Sequence, residues 1–419
     1  MIMLGSYLFF LMIAPQLWVP GILDLPVDFI IYPLWYLALI IRGRGHLLFK
    51  FELAEKIFLA FFVWIILSAL INGLTADSRE QIYIYLRIFV LYKAVSASVE
   101  TTAEVRNALW IFVLLAVVLA IEAISHKNSP DLLGWAGQKL GWVDPSVLEA
   151  GGTGRVRWVG IFDGPGVFCV VFTVALAVCM PYLSGGARLS VRVVIFAVIV
   201  LLGVATYLTG SRGGFLATLA ILAMYIAVRR KIRMRSILAG GLVVMLLFSL
   251  APESLTEMQD ESRSAQHRVE MWAEGLEMVK QNPAFGIGRG NFKTYTGRLI
   301  AHNSAIEIGG ETGLIGFILW GTLIYISFKA AFLTWKNETD GADSNTGLGM
   351  MLALMGYLVS AMFVTLEYET FYLLLALCMG LVRHQPAAQT LEKREVMMIF
   401  VVIGAWLLFV QIFVISYLS

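Results

Sequence analysis

The sequence predicts an all-α polytopic membrane protein with about 12–13 transmembrane helices, and three observations carry that expectation. Hydrophobic residues make up 59% of the 419, charged residues only 14%, and mean hydropathy is +0.80. A chain this apolar has too little polar surface to cover a water-soluble core. Apolar stretches close to the bilayer-spanning length recur from end to end. Lys and Arg gather in alternate loops, as they do when retained on the cytoplasmic side.

Taken in order, the stretches fall near 4–20, 26–41, 54–72, 81–97, 108–124, 165–184, 192–208, 214–228, 237–251, 312–333, 347–365, 368–383 and 396–416. The first two are separated only by a turn at Gly21–Pro26, which leaves the count between twelve and thirteen. No basic residue precedes Arg42, so the first helix is expected to be a permanent span and not a cleaved signal. Cys169, Cys179 and Cys378 all fall inside expected helices and read as buried apolar side chains. The whole chain, 1–419, is thus expected to be a single membrane domain.

With the N-terminus inside, the cytoplasmic loops receive Arg42/Arg44/Lys50, Arg188/Arg192, the basic run 229–235, Lys329/Lys336 and Arg383/Lys393/Arg394. The basic run is expected to rest on anionic lipid, and no nucleic-acid partner is implied. Outer loops at 125–163 and 252–311, with a very short one at Leu208–Gly214, hold Arg155, Arg157, Arg212, Arg263, Arg268, Arg289 and Arg298. Arginines outside the membrane against the insertion bias suggest an anionic ligand there. Arg212, in Thr209-Gly210-Ser211-Arg212-Gly213-Gly214, is wedged between two helices with almost no loop to solvate it.

Within 252–311, Val269, Trp272, Leu276 and Val279 form one helical stripe, which predicts an interfacial amphipathic helix near 266–281 with Arg268 in its first turn. Asn282-Pro283 stops it. The following Gly286-Ile287-Gly288-Arg289-Gly290 has no strand before it and is no dinucleotide fingerprint. It reads as a tight turn that lets backbone approach a neighbour, with Arg289 at its tip. His302 is expected to cap a tightly packed helix in which Gly309, Gly313 and Gly316 form a stripe of small residues. Glu307 and Glu311, four residues apart, are placed to orient His302 or to bind an acceptor sugar. No acidic cluster has metal-ligand spacing and no Walker loop is present, so no cofactor or metal is expected. A transporter would want charges at mid-membrane and an inverted repeat; Arg87 is the one strong candidate and no repeat is visible.

Three pieces together resemble the O-antigen ligase and polymerase superfamily. Ser211-Arg212-Gly213-Gly214 is similar to its SRG turn, and Arg268-x-x-x-Trp272 with Asn282-Pro283-x-x-Gly286-x-Gly288 resembles its periplasmic helix and glycine turn. His302-Asn303, nine residues, Gly313, two residues, Gly316 matches the ligase H-[NSQ]-X9-G-X2-[GTY] pattern in full. The chain departs at Gly164-Pro165-Gly166, where members commonly have Asn-Pro-Asn, and Asp163 is the residue that could take over the lost polar contact.

The resemblance implies a GT-C-like glycosyltransferase of the bacterial inner membrane, working at the periplasmic face on a glycan carried by undecaprenyl diphosphate. It implies His302, Arg212 and Arg268 as catalytic residues: the imidazole as base on an acceptor hydroxyl, the guanidiniums on the departing diphosphate. Arg289, Arg157, Glu307 and Asn303 are then expected to bind substrate. The acceptor is lipid A-core in a ligase or a growing glycan in a polymerase. The complete histidine motif and the modest 252–311 loop favour the ligase.

Overall fold

The computed structural model describes residues 1–141, 154–183, 188–230, 259–297, 299–338 and 341–418, with the side chains of 259–265 left out of the description. The expected span 237–251, most of the basic run 229–235 and Arg298 lie outside the described residues, as does the side chain of Arg263. In chain order the helices are α1 (Ile2–Met12), α2 (Val27–Ile41), α3 (Gly45–Phe49), α4 (Leu53–Ile71), α5 (Ala76–Ser98), α6 (Thr102–Asn128), α7 (Pro165–Cys179) and α8 (Leu189–Leu208). There follow α9 (Arg212–Arg229), α10 (Gln259–Gln281), α11 (Phe292–Thr296), α12 (Ser304–Asn337), α13 (Gly341–Ala361), α14 (Glu369–His384) and α15 (Lys393–Leu418).

The protein is an all-α polytopic membrane protein. Seven helices among the described residues are long and apolar enough to cross a bilayer: α4, α6, α7 with its 3-10 extension to Leu183, α8, α9, α12 and α15, with α1 and α2 as shorter apolar helices. The remaining expected spans among the described residues are also helical, as α5, α13 and α14, but they carry polar residues or are shorter. The first expected span, 4–20, ends as α-helix at Met12; Ala14 turns left-handed and Pro15, which has no N–H to give, opens a 3-10 turn.

Two compact units are distinguished by their internal packing. The first comprises 1–51, 90–221 and 327–389. Its centre is α7, buried along almost its whole length against α6, α8 and α13. Gly349 brings α13 onto the backbone of Val178, where a Cβ would stand 3.3 Å away. The carbonyls left over at the end of α5 are gathered by basic side chains: Arg44 donates to Ser98 O at 2.7 Å, and Arg383 to Ser96 O at 2.6 Å and Val99 O at 2.7 Å. These two arginines, expected on the cytoplasmic side, thus also close a helix end.

The second unit comprises 52–89, 222–326 and 390–419. Here α10 lies between α15 and the segment 287–306. Val269, Met271, Leu276 and Met278 are buried together with Ile287, Phe292, Ala301, Ile306, Val410 and Val414. The helix expected at 266–281 starts earlier, at Gln259, and its apolar face is covered by protein.

Candidate active site

Within the second unit, α10 builds the seat of His302. Trp272 turns its indole toward the chain that precedes the histidine, and its Nε1–H donates to Ala301 O at 3.0 Å. Ala301 is fully buried. His302 then takes a left-handed backbone conformation, φ 51°, which is uncommon for a residue with a Cβ and persists only where the surroundings impose it. The cap of α12 is not His302, as the sequence suggested, but its neighbour. Asn303, fully buried, accepts at Oδ1 from Ala305 N at 3.1 Å and Ile306 N at 3.2 Å. The physical reason is that a short side-chain oxygen must reach the first free N–H groups, which Asn does and a half-buried imidazole at φ 51° does not. Burial, and secondarily the positive charge of Arg268, hold the His302 imidazole below its ordinary pKa.

The expected stripe of small residues in α12 is also corrected. Gly313 is not helical: at φ 69° and ψ −176° it occupies a region open to glycine alone, and it breaks the helix into 304–312 and 314–337. The 283–288 backbone enters the gap. Leu314 N donates to Pro283 O at 2.7 Å, Ile287 N to Gly310 O at 3.1 Å and Gly288 N to Glu311 O at 2.9 Å. From α4, Trp64 Nε1 donates to Thr312 O at 2.9 Å, Ser68 Oγ to Phe285 O at 2.6 Å and Asn72 Nδ2 to Gly286 O at 3.1 Å. The Trp64 ring stacks on Phe285, centroids 4.5 Å apart. Carbonyls orphaned by the break are thereby satisfied inside protein, which is what an interrupted helix in a membrane requires. The sequence called for a close backbone approach at the glycine turn, and its object is the broken end of this helix: a Cβ on Gly286 would run into the Glu311 carbonyl.

Arg289 is not presented at the tip of that turn. It is buried, paired with Glu311, and lies 5.7 Å over the Tyr85 ring. Glu311 Oε1 also accepts from Phe292 N at 2.8 Å. Glu307 is buried in the first turn of α12. Trp64, Ser68 and Asn72 were missed by sequence reasoning, although their four-residue spacing places three hydrogen-bonding side chains on one stripe of an apolar helix.

In the first unit, Ser211 accepts at Oγ from Gly214 N at 3.1 Å and so caps α9, leaving Arg212 exposed as its first residue. The end of a helix rich in free N–H groups and a guanidinium together favour an anion. Gly214 is required by packing, since a Cβ there would stand 2.6 Å from Cys169 Sγ. Arg157 is paired with Asp163 and donates from Nε to Lys139 O at 2.9 Å. Asp163, beside the departed motif, is therefore occupied with holding Arg157. Glu122 and His126, both fully buried one turn apart in α6, were also overlooked; Glu122 accepts from Gln138 Nε2 at 2.7 Å. Two ionisable residues inside an apolar span were the available signal.

The structure therefore brings Arg268, Trp272, His302 and Asn303 together, pairs Arg289 with Glu311, and places Arg212 and Arg157 in the first unit. In this many-helix membrane protein His302 thus sits where burial and the Arg268 charge both hold its imidazole pKa down. Residues 196–321 match the family model described as O-antigen ligase. An O-antigen polymerase from Salmonella muenchen is 24% identical over 301 residues, 66% of this chain and 72% of the relative. An O-antigen ligase from Pseudomonas aeruginosa is 31% identical over 151 residues, 34% of this chain and 35% of the relative, so the match spans about a third of that ligase. Over these segments the chain is similar to O-antigen ligases and polymerases.

Proposed function

We propose that the protein transfers a glycan from undecaprenyl diphosphate to a sugar hydroxyl of an acceptor, at the periplasmic face of the bacterial inner membrane and without a metal. The observation that carries this reading is the seat of His302: a half-buried imidazole on a left-handed backbone held between the Trp272–Ala301 bond and the Asn303 cap, with its pKa lowered by burial and by the charge of Arg268. The acceptor oxygen attacks the anomeric carbon while its proton passes to the imidazole. The bond from that carbon to the diphosphate oxygen breaks, and the lipid diphosphate leaves with the electron pair. Charge on the leaving group grows as the bond breaks, so a fixed guanidinium lowers the barrier more than it strengthens substrate binding. Arg268 is assigned that role, and the resemblance assigns Arg212 to the same chemistry. Arg289, already matched by Glu311, is better suited to holding the glycine turn than to meeting a phosphate.

A ligase acting on lipid A-core is supported by the complete histidine motif and the ligase family model. A polymerase acting on a growing lipid-linked glycan is supported by the longer of the two alignments. Purified protein in proteoliposomes, given a lipid-diphosphate-linked glycan with or without lipid A-core, separates them: core-dependent transfer is the ligase outcome and elongation without core the polymerase outcome. Arg268→Ala and Arg212→Ala are each expected to lower transfer by at least about tenfold. Unchanged transfer in either overturns its assignment.

A further inference from the structure

We propose that Trp272 is a positioning residue for His302: its indole N–H holds the Ala301 carbonyl and so fixes the left-handed backbone from which the imidazole is presented. The proposal rests on the reading of His302 as the base. The Ala301 carbonyl lies in the peptide plane that ends at the nitrogen of His302. Turning that plane changes φ of His302 directly, and the 3.0 Å bond from Trp272 prevents it from turning. Since Ala301 is fully buried, water does not replace the indole as donor. On the other side, the two bonds accepted by Asn303 fix the chain that leaves His302. The unusual conformation is therefore held from both directions, by one donor from α10 and by the start of α12.

The same helix supplies the charge. Arg268 stands one turn ahead of Trp272, so a single rigid face of α10 sets both the electrostatics of His302, through Arg268, and its direction, through Trp272. The rest of the tryptophan is packing: its ring lies 5.8 Å from Phe413, in the apolar cluster shared with α15. Phenylalanine can fill much of that space but has no donor. A small misalignment of a base costs far more in turnover than in binding.

The test uses full-length protein in proteoliposomes carrying Trp272→Phe, and a second form with benzothienylalanine at 272, which keeps the bicyclic ring and replaces only the N–H. Both are expected to lose about tenfold or more in kcat per folded molecule, with the KM for the lipid-linked donor within about twofold of wild type. The acid limb of the pH–rate profile is expected to move toward the ordinary imidazole value as the ring leaves its seat. A purely structural role would change the yield of folded protein and leave both readouts alone. If Trp272→Phe fails to fold, the benzothienylalanine form decides. His302→Ala without transfer, together with wild-type kcat and profile in the 272 forms, overturns this proposal alone. Wild-type transfer by His302→Ala overturns the functional reading and the proposal with it.

Discussion

Replacing Gly313 by alanine isolates the energetic meaning of the break in α12. At φ 69° and ψ −176° an alanine is strained by about 1–3 kcal/mol. Its Cβ would also stand 2.8 Å from Gly286 N and closer still to the Ala284 carbonyl, an overpacking penalty of about 1–3 kcal/mol. Together these amount to about 4 kcal/mol. Escape from the clash would pull Leu314 N off Pro283 O and loosen the turn that Ser68 and Asn72 hold. Gly309→Ala is the control: Gly309 is helical, the new Cβ meets Val279 at an ordinary 3.5 Å, and alanine gains about 0.5–1 kcal/mol over glycine in a helix. Thermal unfolding of the purified protein in detergent, followed by tryptophan fluorescence, is expected to show a clear loss for Gly313→Ala and none for Gly309→Ala. Equal midpoints for wild type and Gly313→Ala would refute the reasoning, because a continuous helix with a stripe of small residues would then describe the region better.

Other consequences are as direct. Asn303→Ala removes the acceptor of two capping bonds and is expected to cost about 1 kcal/mol of stability, read as a lowered unfolding midpoint, while Asn303→Asp keeps the oxygen and most of the midpoint. Arg289→Met leaves the carboxylate of Glu311 in a 2%-exposed seat without its cation, at a cost of about 3–5 kcal/mol, and adding Glu311→Gln is expected to recover part of that loss in the same assay. The base must be neutral to accept a proton, and burial and Arg268 set the His302 value below 6.5. Transfer is therefore expected to rise as pH increases through a midpoint under 6.5 and then level off. Arg268→Gln removes a like charge but not the burial, so the midpoint is expected to move upward; a midpoint that stays put would contradict the contribution of Arg268.

Much of the fold was legible because bilayer length and apolar composition constrain it so tightly: α4, α6, α8, α9, α12 and α15 lie where the hydropathy places them. A helix at 266–281 and a turn at Ser211–Gly214 were legible as well, because periodicity and a short glycine-rich gap between two apolar stretches are local signals, whereas the serine cap of that turn was not read. The break at Gly313 was not. A glycine spaced three and four residues from its neighbours looks the same whether it packs against another helix or interrupts its own. Only the partner backbone at 283–286, about thirty residues earlier in the chain, decides between them. Arg289 likewise looked like an exposed charge because its partner, Glu311, was read with His302 instead. The cap at Asn303 was hidden by one residue of register.

The most direct test of the active-site assignment is the initial rate of glycan transfer by His302→Ala in proteoliposomes, normalised to folded protein and compared with wild type. Loss of a general base is expected to lower that rate by at least about a hundredfold. A rate within about twofold of wild type would contradict the placement of the chemistry at His302.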